Sequence, residues 1–133
     1  IMLTTSTVTF LYGNGNGTFG NIATRNVGAN LYDADIVDID GDGQRDLVIT
    51  RTTGAIDVFS GSVSTLTPPV TLATTGYSQD QVVADLNGDG KLDIVSTNYG
   101  PTADFITISL GNGNGTFSTV ASLAPGAMLS YTF

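Results

Sequence analysis

Short apolar runs alternate with glycine, asparagine and proline along the whole chain. Between Leu31 and Thr74, four runs rich in β-branched or aromatic residues are separated by turn and loop signals, as is typical of strands. No window has the 3.6-residue spacing of an amphipathic helix. The pattern therefore predicts an all-β chain, with strands in this stretch at Leu31–Val37, Asp46–Arg51, Ala55–Phe59 and Val70–Thr74.

Two acidic loops, Asp38–Asp46 and Asp85–Asp93, have nearly the same sequence. Each offers side-chain oxygens at loop positions 1, 3, 5 and 9, a glycine at position 6 and a backbone carbonyl at position 7. Calcium binds six to eight oxygens at roughly 2.3–2.6 Å, and alternate side chains on a tight turn can converge on one ion. The loops therefore predict two Ca²⁺ sites. The candidate ligands are Asp38, Asp40, Asp42, Asp46 and the Gln44 carbonyl in the first loop, and Asp85, Asn87, Asp89, Asp93 and the Lys91 carbonyl in the second.

The alternative is a surface turn, because aspartate and glycine also favour turns for local backbone reasons. Because both loops place their oxygen-bearing side chains at the same four positions, we favour the metal-binding interpretation over a simple turn. An EF-hand is excluded, since that motif requires flanking helices and a glutamate at position 12, where this chain has Ile49 and Ser96.

The loops belong to a longer repeat, because they recur 47 residues apart (85 − 38 = 47). The segment Gly13–Phe19 recurs as Gly111–Phe117, about twice that distance along, and Gly61–Thr65 occupies the intermediate position. A period of this size indicates a repeat array, and four short strands per period match the antiparallel blade of a β-propeller. The Asn-Gly pairs predict tight hairpin turns rather than a phosphate site. We predict one array of three units at 1–46, 47–93 and 94–133, the last without a calcium loop.

The loops and the Gly-Asn-Gly-Asn-Gly-Thr-Phe segments resemble the FG-GAP repeats of integrin α-subunit propellers and the related bacterial VCBS-type repeats. The resemblance covers essentially the whole chain. It implies the same ten residues as calcium ligands, two bound Ca²⁺ and an extracellular or cell-surface location. The chain departs from the family pattern at Pro125-Gly126-Ala127, where no Gly-Ala-Pro triplet stands, so integrin-type ligand recognition is not implied.

Composition agrees with an acidic calcium-binding module. The net charge is −8, and seven of the twelve aspartates lie in the two loops. Four basic residues argue against nucleic acid or an anionic membrane surface as a partner. Calcium loops of modest affinity suit extracellular calcium concentrations. With no cysteine, disulfides are excluded and give no information about the compartment.

An enzymatic function is not expected, because the chain has no histidine, cysteine or glutamate for acid–base, thiol or zinc chemistry. Aspartates outside the loops could form the carboxylate pair of a glycosidase, but the commoner role of an aspartate beside a calcium loop is to support the loop. They are Asp33, Asp35, Asp57, Asp80 and Asp104. The tyrosines could stack on sugars, although packing within the fold is the commoner role of such residues. They are Tyr12, Tyr32, Tyr77, Tyr99 and Tyr131.

Three units are too few for a closed propeller, which needs about four to eight blades. Ile1–Thr4 aligns with Leu47–Thr50 and Ile94–Thr97, each just after a loop, and Ala127–Phe133 aligns with the strand before one. The ring is therefore incomplete unless the chain is a fragment of a larger propeller or an oligomer. The preferred function is an extracellular calcium-stabilised module that recognises glycan or protein. The alternative is a structural subunit that self-assembles head to tail, through open strand edges, into a ring or filament.

Overall fold

The computed structural model describes residues 1–62, 65–74, 76–100 and 104–124, and it confirms the all-β prediction. No helix occurs among these residues, so none is available there to cross a membrane. The strands are β1 (Met2–Leu3), β2 (Thr7–Gly13), β3 (Phe19–Asn26), β4 (Leu31–Val37), β5 (Asp46–Arg51), β6 (Ala55–Phe59), β7 (Val70–Ala73), β8 (Tyr77–Ala84), β9 (Asp93–Tyr99), β10 (Phe105–Gly111) and β11 (Phe117–Leu123).

These strands form three antiparallel sheets in chain order: β1-β2-β3, β4-β5-β6-β7 and β8-β9-β10-β11. The second and third sheets are the four-stranded blades that the sequence predicts. The first sheet contains three strands, and the described residues supply it with no counterpart of β4 or β8. The fold is thus that of an incomplete propeller. Tyr131 and the predicted strand Ala127–Phe133 lie outside the described residues, as do positions 63 and 64 of the middle hairpin loop.

The register of β1 differs by one residue from the sequence alignment. Leu3 pairs with Val8, whose counterpart in the third sheet, Ile106, pairs with Thr97. Leu3 therefore takes the place of Thr97, whereas the alignment gives it the place of Ser96. A slip of one residue exchanges the two faces of a strand. The correction turns Leu3 towards the second sheet, where it packs against a core cluster.

The core lies between consecutive sheets rather than inside any one of them. In one cluster Val8 and Phe10 of the first sheet pack with Leu47 and Ile49 of the second. In the other, residues of the second sheet pack against Ile94 of the third; they are Ile39, Val48, Ile56 and Val58. Because alternate residues of a strand point to opposite faces, β5 contributes to both clusters and is apolar without interruption from Leu47 to Ile49.

Arg51 binds the segment that connects the first sheet to the second. Its guanidinium donates to the carbonyls of Ala29 and Val27, both at 2.6 Å, and to the Asp57 carboxylate on β6. Thr71 on β7 donates to the other oxygen of Asp57 at 2.6 Å. These charge-assisted bonds pair the partly buried Arg51 with the buried Asp57. Asp57 therefore supports the sheet junction and not an acidic loop.

Candidate metal loops

Each acidic loop joins the first and second strands of a blade. The first connects β4 to β5 and the second connects β8 to β9, so both lie at corresponding ends of adjacent sheets. Gly41 and Gly43 have φ angles of 77° and 84°, and the corresponding glycines of the second loop have 76° and 82°. This left-handed conformation is readily adopted only by glycine. The glycines thus allow the backbone to reverse tightly around the first aspartate.

Asp38 organises the first loop. Its Oδ1 accepts a hydrogen bond from the Gly41 amide at 2.9 Å, and its Oδ2 accepts one from the Gly43 amide at 3.0 Å. Asp40 and Asp42 each accept a bond from the backbone amide two residues later, at 3.2 and 2.7 Å. These local bonds hold the three side chains on the inside of the turn.

The result is a cluster of carboxylate oxygens. One ligand atom from each of Asp38, Asp40 and Asp42 lies within 4.8 Å of the other two. Oxygens bound to the same calcium ion at about 2.4 Å can be separated by at most about twice that distance. The spacing and the oxygen-only donor set therefore fit a hard cation such as Ca²⁺, with Asp38, Asp40 and Asp42 as the residues that would hold it.

The second loop repeats this hydrogen-bond pattern with an amide in place of one carboxylate. Asp85 accepts bonds from the Gly88 and Gly90 amides at 2.8 and 2.9 Å. Asn87 Oδ1 accepts a bond from the Asp89 amide at 2.9 Å, as Asp40 does from Asp42. The same backbone geometry therefore presents one negative charge fewer.

Lys91 adds a positive charge beside the second loop. Its Nζ lies 3.4 Å from Asp89 Oδ2, and both side chains are substantially exposed. The backbone amide of Lys91 also donates to Asp89 at 3.0 Å, and this bond is the main cause of a lowered pKa for that carboxyl. Exposed ion pairs contribute little stability, so a bound cation could displace the lysine at small cost.

The aspartates at position 9 of the loops have a structural role of their own. Asp46 is fully buried, and its two oxygens accept bonds from the Ile39 amide at 2.9 Å and the Gly61 amide at 2.7 Å. Asp93 is bound in the same way by the amides of Leu86 and Gly111, both at 2.9 Å. These aspartates connect each loop to the next hairpin of its own sheet.

Asp46 is not part of the three-carboxylate cluster. Burial is the main cause of its raised pKa; the Gly61 and Ile39 bonds lower the value, and Asp40 and Asp42 raise it. A carboxylate has about four lone-pair positions, so the two amide bonds leave acceptor capacity for a cation. A metal-binding role for Asp46 and Asp93 stays a prediction, as does that of the Gln44 and Lys91 carbonyls.

A second acidic region, which the sequence pattern does not reveal, lies between the second and third sheets. A shallow cavity, widely open to solvent, is lined by Tyr32 and Asp33 from β4, by Gln79 and Asp80 from β8, and by Thr97 from β9. Nearby Asp35 has a raised pKa, first because of burial and then because of Asp33 and Asp80. These residues come together only through the packing of separate sheets, so no local sequence motif predicts the acidic cavity.

The described tyrosines are exposed rather than packed, which corrects the expectation from sequence. Tyr32 is 54 % exposed and Tyr99 is 56 % exposed, and Tyr12 and Tyr77 are similar. Tyr32 lines the acidic cavity, and Tyr99 lines a smaller cavity that shares Gln79 and Thr97 with it. Two aromatic side chains thus lie beside polar groups on the same part of the surface.

Comparison with known proteins identifies the repeat. The profile of FG-GAP-like repeats matches residues 38–96 and 85–132, and each match begins at the first aspartate of an acidic loop. Neither the comparison with curated proteins nor that with solved structures found a match. The two matches together cover more than half of the chain. They agree with the blade-like sheets and with the positions of the loops. They therefore confirm the resemblance drawn from sequence. The chain belongs to the FG-GAP-like repeat family.

Proposed function

We propose that the protein is an extracellular, calcium-stabilised binding module of the propeller type. The observation that carries the calcium assignment is the spacing of Asp38, Asp40 and Asp42, whose ligand oxygens all lie within 4.8 Å of one another. Without a cation, three carboxylates at this distance repel one another. A divalent ion would remove that repulsion and fix the loop between β4 and β5.

The second loop would hold a second Ca²⁺ through Asp85, Asn87 and Asp89. Each loop contains one basic residue, Arg45 or Lys91, and Asn87 replaces a carboxylate in the second, so this loop has one negative charge fewer than the first. Calcium affinity depends on ligand charge, so we expect the second site to be the weaker. Titration calorimetry would test this order: two events of unequal affinity support it, whereas the absence of calcium-dependent heat contradicts both sites.

For the ligand we favour a glycan. The cavity lined by Tyr32, Asp33 and Asp80 combines an exposed aromatic side chain with carboxylate acceptors, and Tyr99 lies beside the adjoining cavity. Aromatic rings with hydrogen-bonding neighbours suit the apolar faces and hydroxyl groups of sugars. We propose binding without catalysis, with Asp33 and Asp80 as hydrogen-bond acceptors for sugar hydroxyl groups; cleavage of a retained oligosaccharide would contradict this.

Binding to a panel of immobilised neutral oligosaccharides would test the glycan proposal. We expect Tyr32→Ala and Tyr99→Ala to weaken retention, while Tyr12→Ala, which removes a similarly exposed tyrosine from the first sheet, leaves it unchanged. Equal retention of all three variants would rule out this surface. Retention of none of the sugars by the parent chain would favour a protein ligand instead.

A further inference from the structure

The hairpin turn of the third sheet forms part of the contact between sheets. A Cβ placed on Gly115 would lie 2.9 Å from Ser60 Oγ and 3.9 Å from Asp40 Oδ2, so this turn lies directly against the second sheet and its acidic loop. Phe117, which follows the turn, packs against the cluster that contains Ile39. Ile39, a member of that cluster, is only 3 % exposed.

The first sheet contains the same turn without such a neighbour. In both copies the backbone amide of the first asparagine donates to the carbonyl of the threonine at 2.9 Å, and its side-chain amide donates to the threonine hydroxyl at 2.9 Å. The pairs are Asn14 with Thr18 and Asn112 with Thr116. Yet Phe19, the counterpart of Phe117, is 67 % exposed. A Cβ on Gly17, the counterpart of Gly115, would meet no described atom within 4 Å.

The opposite end of the array has the complementary surface. Leu86 occupies the loop position of Ile39 but is 49 % exposed. Val95, Ile106 and Ile108 are only partly buried, although their counterparts in the second sheet are at most 2 % exposed. The face of the third sheet that points away from the second, here called the outer face, is therefore apolar and uncovered within the described part of the chain. An uncovered apolar face of this kind indicates a docking surface.

We propose that the outer face of the third sheet binds the first sheet of a second copy of this chain. In this contact Phe19 of one copy would pack against Leu86 of the other, as Phe117 packs against the cluster that contains Ile39 within the chain. The occupant is inferred from the internal interface: one end of the array carries a folded copy of the covering turn, and the other end carries an uncovered copy of the loop. The contact joins sheet faces, whereas the sequence predicts open strand edges.

This association goes beyond the proposed ligand-binding function, and its test uses Phe19 and Leu86, which line neither cavity of the glycan surface. The two contacting patches are different, so the contact is heterologous and either closes into a ring or continues as a filament. Sedimentation velocity of the chain in saturating calcium would test it. We expect concentration-dependent association of the parent, and an association constant at least about tenfold smaller for Phe19→Ser and for Leu86→Ser.

A matched control is available on the second sheet. Val70 is 39 % exposed, compared with 49 % for Leu86, and lies on neither end surface. Val70→Ser should associate like the parent. If Leu86→Ser fails to fold, as judged by circular dichroism, Val82→Ser offers a second change in the third sheet at a residue that is 58 % exposed.

A mixing experiment distinguishes this specific contact from nonspecific aggregation. The Phe19→Ser chain keeps an intact Leu86 patch, and the Leu86→Ser chain keeps an intact Phe19 patch. An equimolar mixture should therefore form one-to-one dimers and nothing larger at a concentration where each variant alone is monomeric. A mixture that remains monomeric overturns the proposal, as does a parent chain that stays monomeric at about 1 mM. Failure of the calcium assignment would be visible separately, as absent binding heat.

Discussion

Gln81 of the third sheet forms a buried hydrogen bond with Thr50 of the second. The threonine hydroxyl donates to Gln81 Oε1 at 2.8 Å, and Gln81 Nε2 donates to the Val48 carbonyl at 2.9 Å. Gln81 is 5 % exposed and Thr50 is fully buried. The two sheets are therefore joined by directional polar bonds as well as by their apolar cluster.

We expect Gln81→Leu to lower the free energy of unfolding by about 1–3 kcal/mol, because the Thr50 hydroxyl would lose its buried acceptor. Gln79→Leu is the matched control, since Gln79 lies two residues earlier on the same strand and is exposed. Urea denaturation would measure both. A Gln81→Leu variant as stable as the parent would show that apolar packing alone holds these sheets together.

Removal of calcium should destabilise the fold. At a calcium concentration about ten times the dissociation constant, each independent site contributes about 1.4 kcal/mol through mass action. Thermal melts with calcium and with a chelator would measure the change. An unchanged melting temperature, together with no metal in elemental analysis, would exclude calcium as a structural ligand.

Variants at position 5 should affect only their own loop. Asp42→Ala removes one carboxylate of the first cluster, and Asp89→Ala removes one from the second loop, so each should abolish one of two calorimetric binding events. Asp104→Ala, an exposed aspartate outside both loops, is the control. Full calcium stoichiometry in Asp42→Ala would contradict the assignment of the first site.

Asp57→Ala is unsuitable as that control, although Asp57 also lies outside both loops. Asp57 binds Arg51 and Thr71 in a largely buried position. Removal of one partner from a buried ion pair leaves an uncompensated charge, and we expect a loss of about 3 kcal/mol of stability. Calcium stoichiometry should remain unchanged in this variant under conditions where it is folded.

Alanine should be tolerated very differently at two equivalent glycines. At Gly111 a new Cβ would lie 2.0 Å from the Leu92 carbonyl oxygen, whereas at Gly13 the nearest described atom would be 4.0 Å away. Gly111→Ala should therefore lower stability by about 1–3 kcal/mol through overpacking. Gly13→Ala should change it by less than about 0.5 kcal/mol. Denaturant midpoints that shift equally would contradict the close approach at Gly111.

Asp35 should make the protein less stable as the pH rises above the ordinary aspartate range. Its pKa is raised in the folded state, mainly by burial and then by Asp33 and Asp80. The folded state consequently binds more protons than the unfolded state just above pH 3.8, and stability falls as the pH rises through this window. In calcium-free buffer, Asp35→Asn should be more stable than the parent near pH 7, with the difference shrinking below pH 3.8. A constant difference would exclude this titration.

Much of the blade could be predicted from sequence because its signals are local. Strands β4, β5 and β6 have the predicted bounds, and β7 ends one residue earlier, at Ala73 rather than Thr74. The three convergent carboxylates of the first loop follow from alternate spacing on a glycine-rich turn. These features depend on residues that are close together in the chain.

The features that the sequence does not reveal arise from contacts between sheets. Gln81 and Thr50 are 31 residues apart, and Arg51 lies 24 residues from the Val27 carbonyl that it binds. The register of β1 also escapes prediction, because its short apolar run permits either face to point inward and only the pairing of Leu3 with Val8 decides between them.

The position of the third-sheet turn on the preceding acidic loop has a consequence for how such a chain can change in length. The acidic loop of the second sheet and the hairpin turn of the third sheet that lies against it belong to consecutive repeats. Duplication of a whole period in the gene would therefore copy both halves of the contact at once, and the inserted unit could fit between existing neighbours. Insertion of part of a period would separate a loop from its covering turn and leave residues such as Ile39 exposed to water.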